Sequence, residues 1–110
     1  MFFKKKEPEV DESQVIFAPW SGYYYPATIV GGTDTHAQIM FLNGNKAAVL
    51  RNQIVELEEA FKTMLFAANW KNKGTYYGGF ISNRQPLTMS YNDGAVEQVK
   101  LGQLRGTKPK

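Results

Sequence analysis

The sequence has no cysteine and a single histidine, His36, in 110 residues. The first absence excludes disulfide staples, thiolate zinc sites and cysteine nucleophiles. The second excludes a metal centre built on several imidazoles. No run approaches the roughly 18 apolar residues that a membrane-spanning helix needs. Met1-Phe2-Phe3-Lys4-Lys5-Lys6 leads into acidic residues instead of the apolar core of a secretory signal. A soluble intracellular protein is expected, cytoplasmic or, in a eukaryote, nuclear, with no membrane contact. Gly31-Gly32 lacks the Gly-x-x-x-x-Gly-Lys spacing of a phosphate loop, and His36 reads as a loop or strand-edge side chain with no serine and acid to work beside. No enzyme, cofactor or metal site is expected.

Aromatic residues, by contrast, are plentiful. Phe, Trp and Tyr make up 14% of the chain and glycine numbers 10, a mixture that suits short strands joined by tight turns. The formal charge of +3 is unevenly spread, because eight of the 13 basic residues lie in 62–110 against only Asp93 and Glu97. That concentrates cationic character in the second half and bears on partners more than on fold.

The chain also resembles itself at a spacing of fifty. Phe17-Ala18 and Trp20 recur as Ala67-Ala68 and Trp70, and Phe41, Gly44, Val49 and Gln53-Ile54 recur as Tyr91, Gly94, Val99 and Gln103-Leu104. Ala37, Ile39 and Phe41 alternate with polar or outward positions, as do Leu87, Met89 and Tyr91, which is the period of a half-buried strand. Asn43-Gly44 and Asp93-Gly94 signal two-residue type I′ hairpins. About five strands in each copy can bury their edges only by closing into a small bent barrel.

The expectation is therefore all-β: two small barrels, 14–58 and 64–105, packed in tandem. A link at 59–63 joins them, where the spacing of Leu57, Ala60, Phe61 and Met64 allows a turn of helix, and polar tails lie at 1–13 and 106–110. Phe17, Phe61, Phe66 and Phe80 are expected in the core or between the barrels, and the protein is expected to be a monomer.

These residues resemble the Tudor family of SH3-like barrels in a tandem arrangement. The resemblance is carried by Phe17-Ala18-Pro19-Trp20-Ser21-Gly22-Tyr23-Tyr24-Tyr25-Pro26-Ala27 with Phe41-Leu42-Asn43-Gly44. Its second half is Ala68-Asn69-Trp70-Lys71-Asn72-Lys73-Gly74-Thr75-Tyr76-Tyr77-Gly78-Gly79 with Tyr91-Asn92-Asp93-Gly94. It implies Tudor-like barrels and a non-enzymatic module that binds a methylated or cationic side chain of a protein or peptide partner through an aromatic cage. On that resemblance the cage falls on Trp70, Tyr77, Tyr91 and Asp93 in the second copy, and on Trp20, Tyr25, Phe41 and Asn43 in the first. A cage of this kind works because aromatic faces attract a poorly hydrated cation, each contributing about 0.5–2 kcal/mol. The basic second half supports an alternative, DNA or RNA binding through Lys71, Lys73, Arg84, Lys100 and Arg105 with neighbouring aromatics as stacking platforms. A general protein-interaction scaffold is the third reading.

Overall fold

The computed structural model describes residues 12–70 and 73–108. They form strands β1 (Val15–Trp20), β2 (Tyr23–Gly32), β3 (His36–Phe41), β4 (Lys46–Leu50) and β5 (Val55–Glu56), then helix α1 (Leu57–Thr63). Strands β6 (Leu65–Asn69), β7 (Tyr76–Arg84), β8 (Leu87–Tyr91), β9 (Val96–Gln98) and β10 (Leu104–Thr107) follow. The all-β expectation matches this element list, and α1 occupies the stretch where helical spacing was noted. Among the described residues, no helix is long and apolar enough to cross a membrane.

The architecture differs from the expected pair of barrels. All ten strands belong to one sheet, ordered β4-β3-β2-β10-β6-β7-β8-β9, with β1 pairing β2 and β5 pairing β1. This sheet is open, running from β4 to β9 without closing on itself. The pairing that joins the halves is at Gly106, which faces Tyr24 of β2 on one side and Phe66 of β6 on the other. Ten residues long, β2 has room for β1 along one edge and for β3 and β10 in succession along the other. The tandem Tudor or SH3-like reading is thereby corrected, since two discrete barrels do not exist. Similarity at a spacing of fifty reports matching strand–turn–strand segments, but it carries no information on whether the halves pair with each other.

Gly106 suits its place because it has no side chain. A Cβ there would stand 2.8 Å from Met64 Sδ and 3.4 Å from Phe66 Cε1. Sequence reading leaves Gly106 and Thr107 in a polar tail, yet they extend β10 opposite Phe66 and Leu65.

The larger core cluster also spans both halves. Val15, Phe17, Val55 and Leu57 pack in it with Phe66, Ala68, Met89, Tyr91, Leu101 and Leu104. Phe17 is fully buried, with ring centroids 5.7 Å from Phe66 and 6.4 Å from Phe61 in edge-on geometry. A smaller cluster of Ala18, Ala27, Ala37, Ile39, Phe41 and Val49 lies under the first half. Phe80, expected inside, is instead 62% exposed on the outer face.

The turns are also distributed differently from expectation. Asn43-Gly44 and Asp93-Gly94 sit in loops of three residues, closed where the Phe41 N–H donates to the Asn45 carbonyl and the Tyr91 N–H to the Ala95 carbonyl, and in them only the glycine is left-handed, with φ of 92° and 94°. The Asn43 and Asp93 side chains staple these loops, accepting from the backbone N–H of Asn45 at 3.0 Å and of Ala95 at 2.9 Å. The two-residue turn with positive φ at both positions is Ser21-Gly22, φ 52° and 89°, joining the paired ends Trp20 and Tyr23. Type I′ geometry matches the twist of the flanking strands, and it sets Trp20 at the end of β1 with its ring in solvent.

Candidate functional site

Two aromatic clefts stand at the surface. The first, about 250 Å³, is lined by Trp20, Tyr25, Phe41 and Asn43 and extended by Tyr76 and Gly102 from the other half of the chain. Its rings meet edge to face, with centroid separations of 5.9 Å for Trp20–Phe41 and 6.2 Å for Tyr25–Phe41. Phe41 is buried as the floor, while Trp20 remains 54% exposed at the rim.

The second cleft, about 260 Å³, is lined by Trp70, Tyr77, Tyr91, Asp93 and Ala95. Trp70 and Tyr77 stand edge-on to Tyr91, at 5.0 Å and 6.5 Å. The Tyr91 hydroxyl donates to Glu97 Oε1 at 3.1 Å. Burial, and then the bond to Glu97 and the nearby Glu97 and Asp93 charges, push the phenol up to about 12, so Tyr91 is a neutral donor at physiological pH. Asp93 has one carboxylate oxygen committed to the turn.

The structure thus gathers each predicted aromatic set into one concave surface. Without a barrel, however, neither surface is the barrel-end cage of a Tudor domain, and the reading as a reader of methylated side chains falls with that architecture.

The basic residues are held separately. Arg84 forms a bidentate pair with Glu58 at 2.8 and 3.1 Å and stacks on Phe61 at 3.9 Å, tying β7 to α1. The same pair holds the Glu58 carboxyl below its ordinary range, chiefly through the hydrogen bond from Arg84. Lys73 and Lys100 are exposed, and Lys71 lies outside the described residues.

Arg105 lies on the seam between the halves, its guanidinium carbon 3.9 Å from the ring centroids of both Tyr23 and Tyr76. Register explains the sandwich: Arg105 pairs with the small Ala67, which pairs in turn with Gly78, leaving an open lane toward Tyr76. Burial and the neighbouring Tyr25 push the Tyr76 phenol up, while the Arg105 cation pulls it down.

The sequence places neither Tyr23 nor Tyr76 among the candidate cage residues and offers Arg105 only as a nucleic-acid contact. The alternation of Tyr23 with Tyr25 marks their common face, but the approach of Tyr76 depends on the β2–β10–β6 pairing. Among the described residues, no three His, Asp or Glu side chains are grouped to hold a metal ion. His36 is exposed, with Nδ1 2.8 Å from Thr35 Oγ1. No family model and no curated protein matches this chain.

Proposed function

We propose that the protein is a non-catalytic interaction module that holds an extended segment of a partner protein in the cleft beside Trp20. The observation that carries this reading is the exposure of Trp20 at the mouth of a concave aromatic surface whose floor, Phe41, is buried. Rigid aromatic side chains offer large contact area at low entropic cost, and indole is the side chain most enriched among residues that dominate binding energy. Asn43 and Asn45 on the rim carry amide groups suited to a peptide backbone. A volume near 250 Å³ suits one or two side chains, not a whole folded surface.

The test is a titration of ¹⁵N-labelled protein with an unmodified, acetylated hexapeptide bearing a central phenylalanine–proline pair between glutamines. The Trp20 indole N–H and the amides of 42–45 should shift together, and Trp20→Ala should abolish the response while the remaining amide spectrum is preserved. Absence of any shift at millimolar peptide refutes the reading.

A further inference from the structure

The seam between the halves carries a cation, Arg105, that no carboxylate among the described residues pairs with. Arg105 is clamped between Tyr23 and Tyr76, and its Nε is buried with no hydrogen-bond acceptor among the described residues. Arg84, by contrast, has Glu58 in bidentate contact. A buried guanidinium N–H normally finds an acceptor, because leaving it unmade forfeits the water it has lost. Two flat ring faces fix the guanidinium plane and remove much of the entropy of ordering it, so the group is oriented before any ligand arrives. Tyr76 belongs to this clamp and also lines the Trp20 cleft, and Tyr25 of that cleft stands 6.4 Å from Tyr23. The charged clamp and the aromatic cleft are therefore one continuous surface.

We propose that Arg105 receives a carboxylate, and hence that the segment bound in the Trp20 cleft is acidic, with an aspartate or glutamate flanking its apolar anchor. This rests on the reading of the cleft as a peptide site. Charge complementarity selects the occupant, since the two rings cover the faces of the guanidinium and leave the terminal N–H groups of this half-buried side chain to meet a carboxylate. A nucleic-acid strand fits less well. It needs a row of cations spaced along phosphates, whereas among the described residues no lysine lines the cleft and Arg84 is already committed to Glu58.

The experiment compares three acetylated hexapeptides with the same phenylalanine–proline centre, flanked by glutamate, glutamine or lysine, together with a short oligothymidine. Affinity is read from the Trp20 indole shift. The glutamate peptide should bind at least about tenfold more tightly than the glutamine peptide, the lysine peptide more weakly than either, and the oligothymidine not at all. In Arg105→Gln the glutamate preference should vanish while glutamine-peptide binding persists. Arg105→Lys, which keeps the charge without the fork, should retain only part of the preference. Equal affinity for the glutamate and glutamine peptides overturns the acidic assignment while leaving the cleft a peptide site. Failure of every peptide overturns the peptide reading itself. Salt-sensitive binding of oligothymidine at the same resonances overturns the carboxylate in favour of phosphate. If Arg105→Gln fails to fold, the peptide series on the unaltered protein decides alone.

Discussion

Substitution of Phe17 by alanine should destabilise both halves of the chain at once. Phe17 starts in β1, but its ring is buried against Phe66 of β6 and Phe61 of α1. Emptying a buried phenylalanine site costs about 3–5 kcal/mol. Two edge-to-face partners, each worth about 0.5–1.5 kcal/mol beyond area, place this site in the upper part of that range. Taking about 4 kcal/mol and a urea slope near 1.5 kcal/mol per molar, the unfolding midpoint falls by about 2–3 M. A domain of this size is stable by roughly 5–15 kcal/mol, so the variant remains measurable in most of that interval. Phe17→Leu, at about 1–1.5 kcal/mol, gives a milder second point.

The assay uses the two native tryptophans, one in each half. With 5-fluorotryptophan incorporated, ¹⁹F spectra report Trp20 and Trp70 separately during a urea titration. One sheet and one shared core require both resonances to lose their native signal at the same lowered midpoint. A shift confined to Trp20, with Trp70 unfolding at its original midpoint, would mean two independent units and would refute the single-sheet reasoning.

Alkaline pH offers a second check, because the Tyr91 phenol is raised from 10.0 to about 12. Its contribution should be fully present below about pH 10 and lost as pH rises toward 12, so the stability difference between wild type and Tyr91→Phe should shrink over that window in pH-dependent urea melts. At neutral pH, Tyr91→Phe should cost about 0.5–1.5 kcal/mol from the lost bond to Glu97. Gly79→Ala should cost about 3 kcal/mol, since a Cβ there meets the Ser90 carbonyl oxygen and comes within 2.8 Å of Tyr91 Cα, backbone that cannot step aside. Gly102→Ala, whose nearest neighbour would be Leu42 Cβ at 3.9 Å, should stay within about 0.5 kcal/mol on thermal melting. Ser21→Asn should raise stability by up to about 1 kcal/mol, because Ser21 holds a φ of 52° that asparagine tolerates better. A lower melting temperature for Ser21→Asn would contradict the turn assignment.

Local features were legible in the sequence and long-range pairing was not. Alternation in 37–41 and 87–91 marked β3 and β8 because burial of one face is written into every second residue. Phe41-Leu42-Asn43-Gly44 and Tyr91-Asn92-Asp93-Gly94 marked hairpins because a left-handed position favours glycine, although the turns took three residues instead of two. The aromatic sets that line the clefts came from the likeness of each half to a barrel family, and each set lies within one half of the chain. Tyr76, Gly102 and the Arg105 clamp were invisible, since they reach the first cleft only through the contact of Gly106 with Tyr24 and Phe66. Nothing in the composition of 106–107 distinguishes a central strand from a tail. The matching halves then invited closure of each half on itself, when the available edges of β2 and β6 were joined through β10 instead.

The position of β10 has a consequence for how the protein is made. This strand is the last of the described elements to leave the ribosome, yet it lies in the middle of the sheet, between β2 and β6. Strands β1 to β4 can pair as they emerge, but the seam must wait, with the edges of β2 and β6 open to any passing chain in the meantime. Of the described strands the keystone is therefore made last, and loss of a few residues around Gly106 would divide the sheet at its centre instead of trimming its margin.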